Sequence, residues 1–204
     1  MPLAPSPGAR PAPTARLHLN TAITIKAVTD VAGIEALQPD YERLQRVTGN
    51  TLPFALYEWH STWCSHFLNC YPSVHGEPLF YVLRDATGAC DAVVPFIISR
   101  RRLGPLKIVS IDLLGADPAI TEIRVPLIEP GYEQLTATTI RRQLAGIPDW
   151  DWIHWRGIDA AFRDALAADG GNPQWAPVLS DFVLDLKPTW EAFRLGLKRA
   201  ALGA

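Results

Sequence analysis

No apolar run in this chain approaches the ~20 residues that a membrane-spanning helix needs. Prolines 2, 5, 7, 11 and 13 interrupt the N-terminus, so it lacks the continuous apolar core of a secretory leader. Cysteine is scarce as well: Cys64, Cys70 and Cys90 form an odd set without CxxC or other ligand spacing. That favours free, buried thiols in a reducing compartment over a metal or disulfide role. Surplus charge is missing too, since 19 Lys and Arg face 21 Asp and Glu. A net charge of −2 gives no global reason to expect nucleic acid or an anionic membrane as partner. Neither a 20–50-residue repeat nor a histidine pair in metal register is present, because His60 and His66 are six apart on one predicted helix. These absences point to a cytoplasmic protein without a metal.

What is there suits one globular domain. The chain has 204 residues, 48% hydrophobic and 20% charged, enough for a substantial core and too few for a second full domain. Residues 1–20 are a Pro/Ala/Arg tail too poor in large apolar groups to offset its ordering entropy. Residues 21–186 read as the domain and 187–204 as the start of a connecting helix. Ala22 to Val28 alternates and is β-branched, which suits a first strand. Asp30 caps a short helical turn, and Pro39 opens a helix whose Tyr41, Leu44 and Val47 share a face. That helix ends before Gly49.

The next helix, about Tyr57 to Cys70, carries Trp59, Trp63, Phe67 and Cys70 as a broad stripe expected to pack on the sheet. Strands at Leu79 to Leu83 and Ala89 to Ser99 are joined by the turn Asp85-Ala86-Thr87-Gly88. Pro95 inside the second predicts a bulge or an unpaired edge. Arg100, Arg101 and Arg102 can serve as a charged turn or a phosphate clamp. Gly104-Pro105 then leads into a strand over Leu106 to Leu114. Downstream, Glu133 to Leu144 reads as a helix with Leu135, Ile140 and Leu144 inward. Trp150 to Arg156 reads as a tryptophan-rich strand buried on both faces. Within it His154 reads as a satisfied core histidine rather than a general base, since the sequence identifies no carboxylate partner. Asp159 caps the helix Ala160 to Ala168, and residues 172–186 supply one or two strands.

The expected fold class is therefore α/β (α+β): a mixed, largely antiparallel sheet with helices on both faces. Its element order, with PFALYEWHSTWCSHF (53–67), VVPFIISRRRLGPLKIVSIDLLG (93–115), GADPAITEIRVPLIEPG (115–131), WDWIHWRGI (150–158) and LDLKPTWEAFRLGLKR (184–199), resembles the N-terminal half of CelD-like proteins. Those are cellulose-biosynthesis-type members of the GNAT superfamily, related to the FemAB-type transferases. The resemblance implies a GNAT-like fold and acyl transfer from acetyl-CoA or another acyl-CoA to an amine. In that superfamily the junction after the fourth strand carries Gln/Arg-x-x-Gly-x-Gly/Ala, whose N–H groups grip the CoA pyrophosphate.

Here the junction instead holds Asp117, Glu122 and Glu129, with Gly115 and Gly131 isolated. Carboxylates repel a pyrophosphate and lone glycines make no cradle. The expectation is accordingly a shortened relative that lacks the donor-binding half, with acyl-CoA binding by this chain doubtful. The alternative is a non-catalytic module that pairs with another domain or partner in polysaccharide biosynthesis. No catalytic residue carries over. Asp117, Glu122 and Arg124 are the substrate-side candidates by their place in the order. Trp190, Phe193 and Leu197 line one side of the last helix as a contact for a second GNAT-like domain or a second copy.

Overall fold

The computed structural model describes residues 23–68, 74–115, 126–170, 174–175 and 188–201. Contacts divide the chain into two units, Met1–Gln174 and Trp175–Ala204. In the first, one sheet runs in the order β1 (Thr24–Val28), β2 (Val74–Arg84), β3 (Cys90–Leu103), β4 (Leu106–Leu113) and β6 (Trp152–His154). A short β5 (Leu127–Ile128) pairs with β3 off this path. Among the described pairings only β4 with β6 is parallel. Helices α1 (Val31–Glu35), α2 (Gln38–Thr48) and α3 (Tyr57–Phe67) precede β2, and α4 (Glu133–Ala145) and α5 (Ala160–Ala168) flank β6.

The pleat sorts the core into two layers. Phe80, Val82, Val93 and Ile97 meet Ile34, Tyr41, Leu44 and Cys64 of α1–α3. On the other face Leu79, Tyr81, Leu83, Val94 and Phe96 meet Ile140 and Leu144 of α4. Phe162 and Leu166 of α5 join that side through Ala137 and Trp155. The chain thus forms the expected mixed, largely antiparallel sheet with helices on both faces. From Cys90 through Ser99 every residue of β3 is buried, as a central strand covered twice must be.

Local signals act as read. Asp30 Oδ1 accepts the Gly33 N–H at 2.7 Å, and Gly49 closes α2 at φ +64°. Asp85 Oδ1 accepts the N–H groups of Thr87 and Ala89 at 2.8 and 3.0 Å, which shapes the β2–β3 turn. Pro95 keeps register with Phe80, so no bulge forms there. Its carbonyl accepts the Leu114 N–H at 2.9 Å, on the side where the neighbour of β3 changes from β5 to β4. The missing N–H leaves that pair with one of its two bonds, at the end of the β3–β4 ladder.

Four core assignments are corrected. The buried side of α3 is His60 and Cys64; Trp59 and Trp63 lie half-buried at its flank and Phe67 is exposed. Val47 and Leu135, expected inside, are exposed, and Thr136 and Ala137 occupy the covered side of α4 instead. The tryptophan-rich strand lies at the edge of the described sheet, with Trp150 and Trp152 both exposed. Only Trp155 turns inward, edge-on to Phe96 and Phe162 at 5.3 and 5.7 Å between ring centroids.

The second unit contains α6 (Trp190–Ala201), whose Ala192 N–H is capped by Thr189 Oγ1 at 3.2 Å. Trp190 is exposed and its ring lies 5.6 Å from that of half-buried Phe193. The Leu197 side chain, residues 1–20, Cys70 and most of 172–186 lie outside the described residues. No helix among the described residues is long and apolar enough to cross a membrane.

Candidate functional site

The parallel pair β4–β6 builds the most suggestive cluster of polar side chains. Asp151, just before β6, accepts the Val109 N–H through Oδ2 at 2.7 Å, and its own N–H donates to the Val109 carbonyl at 2.8 Å. Those two bonds fix the register, which then sets Ser110 beside Trp152 and Asp112 beside His154. Because Val109, Ile111 and Leu113 point to the α4 side, Ser110 and Asp112 turn to the opposite face.

There His154 Nδ1 lies 2.9 Å from Asp112 Oδ1, while Ser110 Oγ donates to Asp112 Oδ2 at 2.8 Å. A carboxylate only accepts, so Nδ1 carries the proton, and Nε2 has no hydrogen-bond partner among the described residues. The Asp112 side chain is 15% exposed and that of His154 is 39% exposed, so the carboxylate is sheltered and the imidazole edge open. Trp152 adds an exposed ring 5.9 Å from the His154 ring. Buried Ser99 is the cross-strand neighbour of buried Ser110. A general base oriented by a carboxylate, beside an aromatic wall, is what this arrangement can supply.

The reading of His154 as a core histidine is thereby corrected, since it is half-exposed and has a carboxylate partner. Asp112 was not singled out in the sequence. The available signal was polar residues two apart, Ser110-x-Asp112 and Trp152-x-His154, in otherwise apolar strands. Asp117, Glu122 and Arg124 lie outside the described residues. Glu129, read as a junction carboxylate, is bound by Arg43 at 2.6 Å, and the same guanidinium donates to the Cys90 carbonyl. Arg100 pairs with Glu77 at 3.2 Å, whereas Arg101 and Arg102 have no carboxylate partner among the described residues.

The buried titratable groups are structural. His60 receives the Tyr41 hydroxyl at Nδ1, 2.8 Å away, and burial holds its pKa down to about 3, opposed by a hydrogen bond to the Phe54 backbone. Burial likewise pushes the Cys64 and Cys90 thiols up to about 12, which keeps them unreactive. No His/Cys/Asp/Glu group among the described residues could hold a metal ion.

A cavity of about 240 Å³ opens between α2, β5 and the starts of α4 and α5, lined in part by Thr48, Asn50, Glu133 and Asp159. Its polar groups serve the chain itself. Glu133 accepts the Gly131 N–H at 2.8 Å and Asp159 accepts the Phe162 N–H at 2.8 Å. Asp159 thus caps the start of α5, whereas no side chain caps the first turn of α4; the Glu133 carboxylate stands at that turn, and its charge repels a pyrophosphate. No family model, curated protein or solved structure matches this chain.

Proposed function

We propose that this protein is an acyltransferase of the GNAT-like, CelD-like type, moving an acyl group from a thioester donor to an amine. His154 is the proton acceptor and Asp112 its positioning residue. The observation that carries the reading is the Asp112–His154 pair on the neighbouring parallel strands of a mostly antiparallel sheet. The pair stands at the carboxyl ends of β4 and β6, the end of parallel strands at which open α/β sheets take their ligands. The order of elements supports the same reading, as does the resemblance in the segments that hold Asp112 and His154.

The amine nitrogen bonds to the thioester carbonyl carbon and sheds a proton to His154 Nε2, and the Asp112 carboxylate stabilises the imidazolium that results. The tetrahedral adduct then breaks its C–S bond, and the departing thiolate takes that proton to leave as the thiol, with the acyl group on the amine. The described residues account for this proton transfer and not for a grip on the donor's nucleotide.

The test is thiol release from a panel of acyl-CoA donors with amine acceptors and the full chain. Amine-dependent release should fall roughly 100-fold or more in His154→Ala, within the range for general-base removal. Asp112→Asn should lower the rate and shift its pH profile. Turnover indifferent to His154 overturns the assigned base. A folded chain without turnover on any amine favours the alternative, a non-catalytic module that pairs through Trp190 and Phe193.

A further inference from the structure

We propose that the tip of the β3–β4 hairpin binds an anionic lipid surface. Residues Arg101 to Lys107 are all exposed in succession. Leu103 and Leu106 face each other across the turn at 61% and 63% exposure, the most open leucines of the first unit's core-forming sheet. Between them Gly104 takes φ +61° and Pro105 has a fixed negative φ, the combination of a tight hairpin turn that projects both leucines at its end.

The charges behind this apolar end share one sign. Arg102 stands directly opposite Lys107, and Arg101 opposite Ile108. Like charges in direct cross-strand register destabilise a hairpin unless something else neutralises them. Among the described residues none of these three cations has a carboxylate partner; Glu77, the nearest in register, is engaged by Arg100. A net charge of −2 for the chain conceals this local excess. Gatekeeping of an edge strand would account for Lys107 alone. It does not account for two leucines exposed at the tip. An acidic protein or nucleic acid would answer the cations and leave the leucines in water.

A bilayer with anionic headgroups answers both. The leucines enter the acyl boundary, and the cations, one or two residues back at ~3.4 Å per residue, lie at headgroup depth on both faces of the hairpin. Asp112 is six residues further along β4, roughly 20 Å from the tip. Docking therefore leaves the Asp112–His154 pair clear of the lipid and does not depend on the catalytic reading.

Flotation of the full chain with phosphatidylcholine vesicles, with and without phosphatidylserine, tests this. Binding is expected to phosphatidylserine vesicles and to weaken with salt. Arg101→Gln and Arg102→Gln should each lower the partition coefficient roughly fivefold, the equivalent of about 1 kcal/mol per cation. The pair Leu103→Ser and Leu106→Ser should lower it at least as much at unchanged charge. These exposed positions leave the fold intact, which circular dichroism verifies. Absence of flotation by the folded chain overturns the proposal. So does flotation indifferent to all four residues, which assigns lipid contact elsewhere, as on α6. Sensitivity to the arginines but not the leucines reduces the tip to a polyanion contact and equally overturns it.

Discussion

Asp151 holds Val109 at two points, its carboxylate accepting the Val109 N–H at 2.7 Å and its N–H donating to the Val109 carbonyl at 2.8 Å. A three-residue parallel strand paired with one described neighbour has few other means of choosing its register. One slip would turn His154 away from Asp112. Asp151→Ala removes the side-chain half of this lock. The expected outcome is a loss of about 1–2 kcal/mol, from the bond and from the unpaired Val109 N–H. The His154 ring signals should also move, as seen by histidine-selective NMR, because its partner is no longer held. Asp151→Asn retains an acceptor oxygen and should keep both properties.

His60 makes stability fall in mild acid. Its pKa is about 3 in the folded chain, owing first to burial, against an ordinary 6.5 in the unfolded chain. Between those values the unfolded state binds the extra proton, so acid favours unfolding. The contribution is fully present above about pH 6.5 and is lost toward pH 3, at roughly 1.4 kcal/mol per unit. Lowering the pH from 7 to 5 should therefore depress the melting temperature by roughly 5 °C through this group. A His60→Gln variant, which can still accept from Tyr41, should show a flatter pH dependence in thermal melts, even if it melts lower at pH 7.

Arg43 ties α2 to β5 and to the start of β3, through Glu129 and the Cys90 carbonyl. The Glu129 side chain is only 14% exposed, so removing its cation strands a mostly buried carboxylate. Arg43→Ala should cost roughly 2–3 kcal/mol in urea unfolding. Glu129→Gln keeps a hydrogen-bond acceptor and should cost less. The double change Arg43→Met with Glu129→Leu should recover much of the loss, since no buried charge is then left alone.

Those contacts mark the limit of what one sequence discloses. Caps and turns are local, so Asp30, Gly49 and the Asp85 turn were legible residue by residue. The aromatic stripe of α3 was misread for a geometric reason. Trp59, Trp63 and Phe67 recur every four residues, and each step drifts about 40° around the helix, so the series winds off the face that Cys64 and His60 present to the core. Val47 and Leu135 followed helical spacing as well, but neither ends up under the sheet. The Asp112–His154 pair depends on a register between strands 42 residues apart, which no local pattern encodes. Tryptophan density suggested burial, whereas β6 ends the row of described strands and presents Trp152 to solvent beside that pair.

Gly76 is a site where space rather than backbone conformation decides. A Cβ there would come within 2.5 Å of the Leu68 backbone carbonyl and 3.0 Å of Ile97 Cδ1, where the end of α3 passes over β2. Backbone cannot swing aside as a side-chain tip can, so α3 must shift as a unit. Gly76→Ala should then cost roughly 1–3 kcal/mol, the range for overpacking a filled core. Gly88 gives the contrast. Its φ of +86° strains any other residue, yet a Cβ there meets nothing within 4 Å. Gly88→Ala should cost about 1 kcal/mol and leave the core unchanged. The two variants also differ spectroscopically, because only displacement of α3 moves Trp59 and Trp63. Tryptophan fluorescence of the native state should change in Gly76→Ala and not in Gly88→Ala. Equal stability losses with unchanged emission in both would show that α3 does not rest on Gly76 as closely as its packing indicates.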